Sequence, residues 1–170
     1  RLPNLRLPPA DDTAAVAAMC DDLHHRFDEI WLEIGFGGGE HLLHQAASHP
    51  RTAIIGGEPF QNGVASVVVE IEEQSLDNIR LVDDDIRPWL PVLPQASIDR
   101  AFILFPDPWP KTRHHKRRIV SADNLNHLAR LLRDGAELRI ASDDMGYIRV
   151  VLDLALRHPA FEWTAHRPAD

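Results

Sequence analysis

Apolar positions along this chain follow two periods in alternation. Ala14, Ala17, Ala18 and Leu23 recur at helical spacing within the alanine-rich stretch Asp11 to Phe27, with Asp12 or Thr13 placed to cap it. Ile30 to Ile34 is a short apolar run that reads as a strand. It ends in Gly35-Phe36-Gly37-Gly38-Gly39, after which Glu40 to Ser48 is helical in pattern. The arrangement then repeats, with a β-branched run over Thr52 to Ile55, a turn at Gly56-Gly57-Glu58, and a helix through Val64, Val67, Val68 and Ile71 to Ser75. A third strand, Ile79 to Val82, runs into Asp83-Asp84-Asp85, and a short helix or turn covers Ile86 to Leu93. Ile98 to Phe105 is a fourth strand, ending in Pro106-Asp107-Pro108. A helix over Ser121 to Leu132, a fifth strand over Glu137 to Ala141 and a helix from Ser142-Asp143-Asp144 to about Arg157 complete the pattern; Phe161 to Ala165 is one further candidate strand.

Strands alternating with helices predict an α/β fold, a mostly parallel sheet with helices on both faces. Residues 1–170 show no internal repeat, low-complexity tract or linker, so they read as a single domain. In open sheets of this kind ligands bind beyond the carboxyl ends of the strands, at the point where the strand order reverses. Every strand end here carries unusual chemistry. After the first strand, glycines spaced G-x-G-x-G permit a tight turn and close approach of a ligand to backbone N–H groups at a helix start, with Glu33 two positions ahead. Glu58 ends the second strand, 19 residues beyond Gly39, where an acid can accept from both hydroxyls of a ribose. The loop offers no fixed basic group for a pyrophosphate, and its spacing is not the G-x-G-x-x-G of NAD-binding folds. The pattern favours a cationic or zwitterionic nucleoside, which S-adenosylmethionine is. For both glutamates local capping or pairing is the simpler alternative.

Charge changes the picture further. The 170 residues hold 26 acidic and 18 basic side chains, a formal net charge of −8, which taken alone argues against a nucleic-acid partner. Position reverses that argument. Lys111, Arg113, Lys116, Arg117 and Arg118 lie within eight positions, with His114 and His115 among them and no acid, leaving 13 basic against 26 acidic side chains elsewhere. A +5 patch on an acidic body confines any phosphate contact to one face. A lone cysteine, Cys20, excludes an internal disulfide and a thiolate zinc site, and its apolar helical setting suits a buried thiol. No apolar run reaches the roughly 18 residues of a membrane span and no signal peptide opens the chain, which predicts a cytoplasmic protein with no membrane contact. The His24-His25 and His114-His115 pairs read as surface or phosphate-contacting groups, and no metal is expected.

Four blocks in order carry a resemblance to a known family: Leu32-Glu33-Ile34-Gly35-Phe36-Gly37-Gly38-Gly39; Gly57-Glu58-Pro59-Phe60; the long run from Phe105-Pro106-Asp107-Pro108-Trp109-Pro110-Lys111 to Arg117-Arg118-Ile119-Val120; and Ala141-Ser142-Asp143. Over about residues 30 to 157 the chain resembles the bacterial tRNA (guanine-N7-)-methyltransferases. The resemblance implies the class I methyltransferase version of the Rossmann sheet and transfer of a methyl group from S-adenosyl-L-methionine to N7 of a guanine in tRNA, the one at position 46 of the variable loop. It implies that Glu33, Gly35, Gly37, Gly39, Glu58 and Asp85 bind the cofactor. Asp85 is selected because family members carry an aspartate seven residues after the position of Asn78. Asp107 matches the active-site and cofactor position, Lys111 and Asp143 match substrate contacts, and Arg113, His114, His115, Lys116, Arg117 and Arg118 match a segment assigned to RNA. Trp109 is either a base-stacking group or a loop anchor. The chain departs from the family in having Gly57 where a bulkier apolar residue is usual. Beyond Asp170 the family has a Thr-Lys-Phe-Glu-like motif and a final antiparallel strand, so the C-terminal end is expected to be truncated and the last strand missing.

Two other function classes fit parts of the sequence. A non-catalytic RNA-binding module would need the basic run but not Glu33, Glu58 and Asp107. An NAD-dependent oxidoreductase is disfavoured by the glycine spacing. The sequence leaves monomer and homodimer equally open.

Overall fold

The β-branched runs assemble into one five-stranded, all-parallel sheet in a computed structural model that describes residues 2–165. The strands are β1 (Glu29–Ile34), β2 (Thr52–Gly57), β3 (Ile79–Val82), β4 (Ile98–Leu104) and β5 (Leu132–Ala141), in the order β3-β2-β1-β4-β5. The helices are α1 (Leu2–Leu5), α2 (Thr13–Arg26), α3 (Glu40–Ser48), α4 (Gln61–Glu73), α5 (Ala122–Leu131) and α6 (Met145–Arg157), with a 3-10 helix at Thr112–Arg117.

Alternation along the strands divides the core in two. Ile30, Leu32 and Ile34 of β1 pack with Val16, Cys20 and Leu23 of α2, Leu125 and Leu128 of α5 and Tyr147 of α6. Trp31 faces the opposite way, with Phe102 of β4, Leu42 and Ala46 of α3 and Val64 and Val67 of α4. Helices therefore cover both faces, as parallel strands buried on each side require. Cys20 is buried in the first cluster, and burial pushes its thiol up to about 11, which keeps it protonated and unreactive at neutral pH. The buried Asn78 donates through Nδ2 to the carbonyls of Ala46 (3.0 Å) and Thr52 (2.9 Å), tying the start of β3 to the α3–β2 connection.

Caps agree with the sequence. Asp12 accepts from Ala15 N at 3.0 Å, Ser121 from Asn124 N and Asp144 from Tyr147 N at 2.7 Å. Two local expectations are corrected. β5 begins at Leu132 rather than Glu137: Leu132 pairs with Ile98 and Glu137 with Arg100, so one residue of β4 between these pairs faces four of β5. The polar run Arg133-Asp134-Gly135, turn-like in sequence, forms this bulge, with Gly135 at φ 79. Phe161 to Ala165 forms no strand; Phe161 N donates to His158 O and the ring packs on His158 as the chain turns off α6. Ile86 to Leu93, expected as a short helix or turn, is a series of turns. Within it the buried Ile86 occupies the space in front of Gly57 that a larger residue there would fill.

Candidate functional site

The strand order reverses between β1 and β4, so the crevice expected of such sheets opens between the loops that follow them. Register aligns Val82, Gly57, Ile34, Ile103 and Ile140 across the carboxyl edge of the sheet. Glu58, Asp85, Asp107 and Asp143 each follow that row by no more than four positions. The parallel topology thus brings together four carboxylates spread over 86 positions of sequence. Pairing runs slightly past the strands, with Gly35 N donating to Gly57 O (2.8 Å), Glu58 N to Val82 O (3.0 Å) and Phe105 N to Ala141 O (2.8 Å).

The glycine loop leaves β1 with Gly35, Gly37 and Gly39 all at positive φ (77, 55 and 84°), a region that costs other residues roughly 1–2 kcal/mol each. Two glutamates brace it. Glu33 lies on the α3 face of β1, buried, with Oε2 2.7 Å from Nδ1 of His41 on α3. This bond ties the entry of the loop to its exit, and Gln45 Nε2 lies 3.2 Å from the far His41 nitrogen. Burial raises the Glu33 carboxyl above its usual range, with the His41 hydrogen bond and charge acting in the opposite direction. Glu58 Oε2 accepts from Gly37 N, and Oε1 from Phe60 N, both at 2.8 Å, so this carboxylate joins the middle of the loop to the N-terminus of α4. A Cβ added at Gly63 of α4 would overlap the Gly37 carbonyl oxygen, so α4 seats directly on the loop.

Two of the three consecutive aspartates are engaged by arginine. Arg6 pairs with Asp83, holding it below the usual carboxylate range, and brings the N-terminal segment alongside β3, where Leu7 N donates to Leu81 O. Burial pushes Asp85 up, but the Arg87 side chain (Nε to Oδ2, 2.7 Å) and backbone N–H (3.0 Å) outweigh it and leave the carboxyl lowered. Arg87 Nη1 also reaches the Lys116 carbonyl at 3.4 Å, which links the end of β3 to the basic 3-10 helix.

On the other side of the crevice β4 ends abruptly. Phe105 has φ 51 and Trp109 φ 42, a region bulky L-residues rarely adopt and one that costs on the order of 1–3 kcal/mol per residue. Phe105 is turned outward, 68% exposed. Asp107 and Asp143 are exposed, and among the described residues neither side chain has a hydrogen-bond or ion-pair partner. The 3-10 helix follows directly. Lys111, Arg113, His115, Lys116 and Arg117 are exposed, with the Arg117 guanidinium 4.9 Å over the Trp109 ring and His114 edge-on to it. Arg118 is only partly exposed and turns inward. A groove of about 560 Å³ between α3 and α4 and one of about 290 Å³ between α5 and α6 both lie outside this row of strand ends. Among the described residues no helix is long and apolar enough to cross a membrane, and no cluster of three His, Cys, Asp or Glu side chains is arranged to hold a metal ion.

Residues 28–169 match the model of a family described as "Putative methyltransferase". The chain belongs to this methyltransferase family. Curated relatives named tRNA (guanine-N(7)-)-methyltransferase match it at 55% identity in Rhodospirillum rubrum, 54% in Ruegeria pomeroyi and 52% in Rhizobium meliloti, each over 84% of this chain. The chain spans 56%, 60% and 62% of the length of those relatives. The family resemblance read from the four sequence blocks is therefore borne out. Solved methyltransferases share the fold: precorrin-6y C5,15-methyltransferase of Geobacter metallireducens aligns over 86% of this chain and 70% of its own (TM-score 0.63, 15% identity). An rRNA methylase of Streptococcus thermophilus aligns over 83% and 78% (TM-score 0.59, 16% identity).

Within this methyltransferase scaffold the sequence reading overlooked His41, Arg87, Phe105 and Tyr147. His41 stands two positions past Gly39 as Glu33 stands two before Gly35, and Arg87 two past Asp85, so spacing alone could have flagged both as partners. Nothing in sequence marks the outward turn of Phe105 or the ring that Tyr147 presents.

Proposed function

We propose that this chain carries the strand-end machinery of an S-adenosyl-L-methionine-dependent tRNA (guanine-N7-)-methyltransferase. The observation that carries the reading is the adjacency, across the β1/β4 reversal, of a glycine loop braced by Glu58 and an exposed Asp107 that leads directly into a cationic helix. The names of the relatives that match at about half identity supply the reaction class.

The residues fit the cofactor. Side chains at Gly35 or Gly37 would project into open space, which leaves a cradle beside the loop, and each Glu58 oxygen that accepts one N–H keeps a second lone pair for a ribose hydroxyl. Glu33 holds the loop from beneath through His41, and Asp85 offers its free lone pairs at the end of β3. When bound, S-adenosyl-L-methionine supplies a sulfonium methyl group. Guanine N7 has an in-plane lone pair and no proton, so it forms the new N–C bond while the departing sulfur keeps the electron pair of the broken C–S bond, and no general base is required. The positive charge passes to the purine. Asp107 stabilises that charge and orients the base, while Asp143 accepts from the N1 and N2 donors of guanine; adenine would leave those acceptors unpaired at a cost of roughly 1–3 kcal/mol. Lys111, Arg113, His115, Lys116 and Arg117 take the phosphates, and Phe105 or Trp109 supports an unstacked base.

The test is incubation of the protein with labelled S-adenosyl-L-methionine and unmodified tRNA. Label is expected in N7-methylguanine and is expected to vanish when the guanine at position 46 is replaced. Label in another base, or in no RNA at all, overturns the reading.

A further inference from the structure

Arg118 belongs by sequence to the run of cations assigned to RNA, but its surroundings are unlike theirs. Its Nε donates to the Pro108 carbonyl at 2.7 Å and Nη2 to the Trp109 carbonyl at 3.3 Å. Its guanidinium lies 5.3 Å from the ring centroid of Tyr147, a fully buried residue of α6 whose hydroxyl accepts from Val120 N. The same side chain thus grips the loop that carries Asp107 and rests on the helix that begins beside Asp143.

That loop has few other means of being held. Pro106, Pro108 and Pro110 have no N–H, so Phe105, Asp107 and Trp109 are its only backbone donors, and Phe105 N is already used on Ala141 O. Two of its residues sit at positive φ, a conformation that persists only where the surroundings over-determine it. The Pro108 and Trp109 carbonyls, in the peptides on either side of Trp109, are the groups Arg118 fixes, the first belonging to the residue next to Asp107. Arg113, Lys116 and Arg117, by contrast, expose their charges.

We infer that Arg118 is a positioning residue, one that holds the Asp107 loop in its strained form against α6, and that the RNA phosphates are left to its exposed neighbours. What the site requires from it is the planar fork of donors rather than the charge, so lysine is no substitute. The inference rests on the proposed methyl transfer to tRNA.

The decisive comparison is Arg118→Lys against Lys116→Ala in the whole chain, with folding verified by circular dichroism. Arg118→Lys is expected to lower kcat at saturating tRNA by at least about tenfold, while tRNA affinity and its salt dependence stay at the parent values. Lys116→Ala is expected to weaken tRNA binding and to reduce the slope of log K against log salt by about one. Parent kcat in Arg118→Lys, or a Lys116-like loss of affinity and slope, overturns the inference. Amide exchange at Phe105, whose N–H is bonded to Ala141 O at the base of this loop, provides a readout independent of turnover. It is expected to accelerate in Arg118→Lys and not in Lys116→Ala, and unchanged exchange would also overturn the inference. If the parent protein transfers no methyl group to tRNA, the functional proposal fails while the exchange data still decide the role of Arg118.

Discussion

Glu33 sets stability against function at a single residue. Burial is the largest influence on its carboxyl and raises it, so the folded protein takes up that proton more readily than the unfolded chain does. A group raised on folding contributes stability that is full below its unfolded value, roughly pH 4.3, and is lost as pH rises through the folded value. At pH 7 the buried charge is therefore a standing cost, offset in part by the bond from His41 Nδ1. Glu33→Gln removes the charge and retains an oxygen that can accept from His41. The variant is expected to be more stable than the parent to urea at pH 7, with the difference shrinking toward zero near pH 4, and to bind S-adenosylhomocysteine more weakly because the loop loses its charged brace. A stability difference that does not change with pH would show that desolvation of Glu33 is not its cause.

Between elements, the contact that matters most is α4 on the glycine loop. In an ordinary helix Gly63→Ala would stabilise by roughly 0.5–1 kcal/mol, because alanine loses less backbone entropy. Here the added methyl overlaps the Gly37 carbonyl, a backbone group that cannot rotate away, and overpacking of that kind costs about 1–3 kcal/mol. The second effect is the larger. Gly63→Ala is expected to lower stability in thermal denaturation and to weaken S-adenosylhomocysteine binding in calorimetry by displacing Gly37 N from Glu58; a stabilised variant with parent affinity would refute the close seating. Elements of this sort were legible in sequence where side-chain periodicity and caps agree: the helix over Glu40–Ser48 and the strand over Ile79–Val82 have the expected bounds, and Asp12, Ser121 and Asp144 stand at their helix starts. The expected family blocks likewise fall at strand ends, because a parallel sheet must put them there. What sequence did not reveal depends on tertiary pairing. Leu132 extends β5 only because Ile98 lies opposite, and Phe161 packs on His158 instead of joining the sheet. Arg118 is a cation like its neighbours until the Pro108 and Trp109 carbonyls come into view.

For the whole molecule the governing quantity is the uneven distribution of charge. A body with 13 basic and 26 acidic side chains repels phosphate, so the proposed RNA contact is confined to the segment that carries an excess of cations. With Arg118 turned inward, the exposed fixed cations of that segment are Lys111, Arg113, Lys116 and Arg117. Each phosphate neutralised contributes a slope of roughly −0.7 to −0.9 in log K against log salt, so four contacts predict a total of about −3 to −4. At the proposed strand-end site S-adenosylhomocysteine would release no counterions, and its affinity is expected to be nearly independent of salt. Fluorescence titration of tRNA at several salt concentrations measures the first slope and calorimetry the second. Replacing Arg113 and Lys116 together with alanine is expected to make the tRNA slope shallower by about two contacts and to leave the S-adenosylhomocysteine curve in place. A parent slope steeper than about −5 would require cations outside this segment, and so a second RNA-facing surface on a body whose net charge argues against one.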